Sequence, residues 1–142
     1  MVDSGQSFDV GDCTLHAVRP PVYDSPYTRG LLDPTTRVYY ASDAFCAPNP
    51  IAPVDWAEEI PAHTWEETMA RFHYSSLCPW ITMVNQTRFQ AEVDKFASLG
   101  INTIVGAHTP PIGRSSVSLA FAQLARLPSQ APLPLEFATT AR

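Results

Sequence analysis

Charge is what this chain has least of. Only 16% of its 142 residues are Asp, Glu, Lys or Arg, where about a quarter is usual for a soluble domain. There is one lysine, Lys95, and no cluster of basic residues, and the net charge is −5 at pH 7. Nucleic acid is therefore excluded as a partner, because phosphate binding needs gathered Lys and Arg. Cysteine is sparse as well. Cys13, Cys46 and Cys78 are odd in number and lack CxxC spacing, which fits neither a disulfide framework nor a zinc ribbon and reads as free thiols in a reducing cytoplasm. No apolar run approaches the ~20 residues of a membrane span, and the opening Met1-Val2-Asp3-Ser4 has no basic or apolar signal region. The expectation is a cytoplasmic chain with no membrane partner. There is no G-x-S-x-G, Walker A or G-x-G-x-x-G sequence either, so the common hydrolase, nucleotide and dinucleotide templates drop out.

What is present is apolar surface. Hydrophobic residues make up 45% of the chain and aromatics 11%, enough for one core in one domain. Phe8, Val10, Cys13, Leu15 and Ala17 alternate around Gly11-Asp12, the pattern of a β-hairpin, and Arg19-Pro20-Pro21 ends it. A second hairpin runs through Gly30-Leu31-Leu32, a turn at Asp33-Pro34-Thr35-Thr36, and Val38-Tyr39-Tyr40. Residues 44–63, rich in Pro and Ala, predict an irregular excursion with one helical turn near Trp56 to Ile60. Thr64-Trp65-Glu66-Glu67 reads as the capping box of a helix carrying Trp65, Met69 and Phe72. Asn85 starts a second helix with the stripe Phe89, Val93 and Phe96, and Gly100 closes it before a strand from Ile101 to Val105. Ser115 or Ser116 caps a third helix that Pro128 stops. Residues 1–127 thus predict one domain and residues 128–142 a Pro-rich extended tail. Strands first and helices later predict an α/β fold: a mostly antiparallel sheet with helices on one face. The other face is left open to association.

Three side chains of metal-ligand type fall at strand ends or in the loop between hairpins. Asp43 follows Val38-Tyr39-Tyr40-Ala41-Ser42, with no cation among Ala44, Phe45 and Cys46. A half-buried carboxylate there needs a metal, a cation or several N–H donors; a loop-capping Asp is the plainer alternative. His108 follows Ile104-Val105-Gly106-Ala107 and precedes Thr109-Pro110-Pro111. A strand end is a good ligand position, though a hydrogen-bonded structural histidine would look the same. Asp24 lies 19 residues before Asp43 in the proline-braced loop Pro21 to Pro26; an Asx-turn is its alternative, and Tyr23 competes for the role. His16, His63 and His73 form no H-x-H or H-x3-H pair, and His73 is placed near a helix end, where its charge suits the dipole.

Taken in order and spacing, Ser42-Asp43-Ala44-Phe45-Cys46, Asp24-Ser25-Pro26 upstream, and Leu99-Gly100-Ile101 through His108-Thr109-Pro110 resemble the C-terminal half of the metallo-β-lactamase fold, specifically its flavodiiron and oxygen-binding di-iron branch. The likeness covers about residues 7–125. It implies half of an αββα sandwich, with Asp43 bridging two divalent metals, iron or zinc, Asp24 serving one and His108 the other. An aspartate stands at 24 where the branch has histidine, which favours harder metals, and Cys46 stands where it has glycine. The branch's N-terminal His-x-(His/Glu)-x-Asp-His run is not in these 142 residues. Two ligands per metal are fewer than the three or four of tight sites, so metal occupancy and activity of the isolated chain are not expected. The resemblance implies the metal-binding portion of a metallohydrolase or di-iron oxidoreductase, completed by an N-terminal half or by a second copy. The alternative is a non-catalytic half-domain serving as a dimerising or partner-binding module, and a small-molecule sensor using the same pocket is a third reading.

Overall fold

A computed structural model describes residues 4–49 and 53–130. Its centre is one sheet in which sequence order is spatial order, β1-β2-β3-β4-β5. β1 (Ser7–Val10) and β2 (Cys13–Val18) form the first antiparallel hairpin. Gly11 supplies its turn with φ 77, a conformation that costs glycine little. β2 pairs with β3 (Gly30–Asp33), and β3 with β4 (Val38–Tyr40), again antiparallel. The Asp33 carboxylate accepts from the Thr35 and Thr36 N–H groups at 2.8 and 3.3 Å, an Asx-type turn of the kind that Asp-Pro favours. Only β5 (Thr103–Val105) runs parallel to its neighbour β4, in register Tyr40↔Val105. The expected sheet, mostly antiparallel and laid against helices, is the one found.

The helices lie on a single face. α1 spans Ala62–Phe72, α2 Gln86–Ala97 and α3 Val117–Arg126. α2 begins as expected, the Asn85 side chain accepting from the Arg88 N–H at 2.9 Å. Its Phe89, Val93 and Phe96 are buried with Leu32, Tyr39 and Ile104 of the sheet and Phe121 and Leu124 of α3. Edge-to-face rings tie the layers: Tyr39 with Phe96 at 4.8 Å and Phe45 with Phe121 at 5.3 Å between centroids.

Two helix starts differ from expectation. α1 begins at Ala62 behind Pro61, not at Thr64, and Pro61 O receives both the Thr64 and Trp65 N–H groups. Proline fits that entry because its φ is already set and its N–H is not needed. The reciprocal acid cap falls earlier, where Glu59 accepts from the Asp55 and Trp56 N–H groups at 3.1 and 2.8 Å around the 3-10 turn Ala57–Glu59. Ser116 holds the N-cap position of α3 with no side-chain bond, while the Ser115 hydroxyl goes to Glu58 at 3.3 Å. α3 ends before a 3-10 turn, Leu127–Ser129, that contains Pro128. The tail expected from residue 128 lies, from 131 onward, outside the described residues.

Candidate functional site

Parallel pairing of β4 and β5 is what builds the site. Tyr40 and Val105 stand side by side, so the residues three further along each chain, Asp43 and His108, arrive at the same rim. Ala107 N donates to Ser42 O at 2.8 Å and Ala41 N to Val105 O at 2.8 Å, which stitches the two exits together. Asp43 Oδ1 and His108 Nε2 are 3.7 Å apart, with side chains 26% and 64% exposed. That is too long for a hydrogen bond. Two ligands about 2.1 Å from one ion at a near-tetrahedral angle stand roughly 3.4 Å apart, so the pair is close to the separation that one metal would impose.

Backbone strain is concentrated here. Ser42 and His108 have φ of 53 and 51, two of the three described non-glycine residues in the left-handed region. Such residues cost of order 1 kcal/mol or more and persist where the surroundings over-determine them, often at functional sites. Gly106 gives the loops room: a Cβ there would press on Ser42 O and the Thr109 methyl.

Asp24 does not join the pair. It is exposed on the loop before β3, where its Oδ1 accepts from the Thr28 hydroxyl at 3.1 Å. Among the described residues no three His, Cys, Asp or Glu side chains are grouped so as to hold a metal ion. The carboxylate and imidazole suit a metal in kind and spacing, but the set falls short in number and does not by itself make a di-iron centre.

Residues around the pair carry roles that sequence reasoning passed over. Cys46 places its thiol 3.7 Å from Asp43 Oδ1 and 3.5 Å from Ala107 O. Burial, with the Asp43 charge and hydrogen bond adding to it, pushes that thiol up to about 12 in the metal-free chain. The Phe72 ring lies 6.0 Å from that of His108. His73, expected as a helix-end charge, is instead fully buried at the start of the π-helical turn His73–Leu77. Its Nδ1 is 2.7 Å from Met69 O and its Nε2 2.9 Å from Ala44 O, so it grips the Asp43 loop from behind. A signal for this was present: 65, 69 and 73 are one helical stripe, and Trp65 and Met69 are buried. His16 meets the Ser7 hydroxyl at 2.9 Å and His63 the Thr64 hydroxyl at 3.2 Å, both away from the pair.

No protein-family model and no curated protein matches the chain. Solved structures do. Rubredoxin:oxygen oxidoreductase from the anaerobe Desulfovibrio gigas superposes with a TM-score of 0.72 at 18% identity, over 93% of this chain and 32% of that one. The flavodiiron protein of Giardia intestinalis gives 0.62 at 20% identity, over 90% and 30%. The chemotaxis sensor ODP from T. denticola gives 0.67 at 17% identity, over 87% and 48%. The fold is thus a partial flavodiiron-type, metallo-β-lactamase-like α/β domain. The chain spans about a third of the flavodiiron proteins and about half of the sensor.

Proposed function

We propose that this chain contributes one side of a metal site in a flavodiiron-like domain, with Asp43 and His108 as its converging ligands and Asp24 as a third that reaches the metal only when its loop gives up the bond to Thr28. The observation that carries the reading is the 3.7 Å approach of Asp43 Oδ1 to His108 Nε2 at the ends of two parallel strands. The remaining ligands come from outside the described residues, either from a complementary N-terminal half or from a second copy. Iron is the metal suggested by a carboxylate-rich set, with zinc the competitor that histidine also serves. No hydrolytic or redox step is assigned to the chain, because two converging ligands do not make a closed site.

A second reading rests on a different observation. The sheet face away from the helices carries Phe8, Leu15, Leu31, Val38, Tyr40 and Val105, all outside the buried core cluster. A half-domain that uses this face only to associate needs no metal. Metal analysis of protein purified without chelator separates the two. About one iron per chain or more, lost in both Asp43→Ala and His108→Ala and reduced in Asp24→Ala, supports the site. A stable assembly that is metal-free before and after iron is offered leaves the association module standing.

A further inference from the structure

Arg19 and Arg29 stand ten residues apart in sequence and meet on one oxygen. Arg19 Nη2 donates to Pro26 O at 3.1 Å, and Arg29 Nη1 donates to the same carbonyl at 2.9 Å. The two nitrogens therefore lie no more than about 6 Å apart, a separation at which like charges repel. Among the described residues no carboxylate comes within ion-pair distance of either guanidinium. Asp24, in the same loop, is taken up with the Thr28 hydroxyl. In a chain of net charge −5, two adjoining cations without an acid reverse the sign of the local field.

Both groups are held in place before any ligand arrives. Arg29 Nη1 also donates to Thr28 O at 2.8 Å. The Arg19 guanidinium lies over the Tyr23 ring, 5.4 Å from its centroid, and the Arg19 backbone N–H is tied to Ser4 Oγ at 3.1 Å. Arg19 Nη1 and Arg29 Nη2 bond to no described residue. Arg29 Nε is buried without a partner among the described residues. It is closed off and takes no ligand itself, but its burial strips water from a charge that then gains more from an anion. Beside Arg19 lies a cleft of about 440 Å³, lined also by Pro20, Tyr23, Phe96, Leu99 and Lys95. The Lys95 ammonium is already engaged with Glu92 at 2.7 Å.

We propose that Arg19 and Arg29 form an oxyanion site for a phosphoryl group, carried by free phosphate or by a phosphomonoester. A phosphoryl group brings between about one and a half and two negative charges and three acceptor oxygens at neutral pH. That is enough for two guanidinium forks at once. A carboxylate brings one charge and two oxygens, which a single fork exhausts. The loop from Arg19 to Arg29 leaves the sheet at the end where Asp43 and His108 stand, since Val18 pairs with Gly30 and Leu31 with Tyr40. The site itself needs no metal.

Inorganic phosphate, phenyl phosphate and benzoate titrated into the full chain at constant ionic strength test this, read on the backbone amide resonances of Tyr27 and Thr28. Both phosphoryl probes are expected to saturate. Benzoate should bind at least about tenfold more weakly than phenyl phosphate, the worth of one charge-assisted hydrogen bond. Phenyl phosphate ahead of phosphate assigns the ester, with its body in the cleft beside Arg19; equal or weaker binding assigns free phosphate. Arg19→Gln and Arg29→Gln should each weaken phosphate about tenfold or more. Should Arg29→Gln loosen the loop, the variant at the exposed Arg19 decides alone. Arg88→Gln, also at an exposed arginine, leaves binding unchanged and separates the site from general attraction to cations. No saturation with either phosphoryl probe, benzoate equal to phenyl phosphate, or Arg19→Gln no weaker than Arg88→Gln overturns the assignment.

Discussion

Tyr39 and Tyr40 are neighbours with the same side chain, and they live in different worlds. Tyr39 points into the helix layer and is 0% exposed; Tyr40 points the other way and is 43% exposed. Rows across the sheet extend the contrast. Leu32, Tyr39 and Ile104 belong to the core cluster, while Leu31, Tyr40 and Val105, one residue displaced on each strand, do not. Both rows are apolar. The strands are written as if both faces were to be buried, the pattern of a sheet inside a sandwich, yet the described residues cover only one. Composition says the same, because low charge together with high apolar content leaves a surface that profits from a partner.

The largest effect expected from breaking this comparison is at Tyr39. Its ring packs on Phe96, its hydroxyl donates to Val18 O at 3.1 Å, and Gly30 is glycine because a Cβ there would collide with the phenol. Tyr39→Ala should lower stability by about 3–5 kcal/mol; Tyr40→Ala should cost under about 1 kcal/mol in the same denaturant titration. Equal losses would mean that the outer face is already covered and the contrast is false.

His73 sharpens the buried side. A neutral imidazole has one N–H and so can serve only one of the two carbonyls against it, while the charged form serves both at the cost of desolvation. Burial holds its pKa below the usual 6.5, with the Met69 and Ala44 carbonyls and the Asp43 charge pulling the other way. The folded chain thus binds fewer protons here than the unfolded one. Stability is fully present above about pH 6.5 and is lost as pH falls through the lowered folded value. His73→Ala should cost about 2–4 kcal/mol through the cavity and the carbonyls left bare. His73→Gln should flatten the slope of stability against pH just below 6.5, which a urea series at several pH values would show; an unchanged slope removes His73 as its source.

The outer face is sharpened by charge. Leu31→Lys and Tyr40→Lys should leave monomer stability within about 1 kcal/mol while abolishing self-association in sedimentation, or the uptake of a complementary half. A charge on an interface core is expensive when buried and nearly free when wet. Variants that associate as the parent does would show that contact is made elsewhere.

Much of this comparison was legible in the residues. Alternation around Gly11-Asp12 and Asp33-Pro34 fixes both hairpins, and parity alone assigns Leu31 and Leu32 to opposite faces. Asn85 and Gly100 bracket α2 by local chemistry that tertiary contacts do not override. The start of α1 was not legible at Thr64, because a proline at 61 offers an earlier start that no side-chain oxygen announces. Asp43 and His108 could be placed at strand ends, but their 3.7 Å approach depends on the parallel register of β4 with β5, set by packing across the 62 residues between the two strands. Asp24 shows the converse: its spacing to Asp43 is a property of the sequence, while its bond to Thr28 belongs to the loop.

The smallest effect is at Asp33, at the hairpin end on the outer side. The Thr36 hydroxyl at 2.7 Å, with the Thr35 N–H next in weight, holds its carboxyl below the usual 3.8. Those donors favour the charged form, so the folded state again binds fewer protons than the unfolded one. Its contribution is present above pH 3.8 and disappears as pH falls through the lowered folded value, well separated from the His73 window. Because the carboxylate is in contact with solvent, salt and water weaken the effect. Asp33→Asn should therefore remove only a shallow acid limb from the stability profile and leave the region near pH 6 untouched. His73→Gln should do the reverse. If the two variants flatten the same region, the titrations of the covered and uncovered sides are not independent, and the division of the sheet into two energetically separate faces fails.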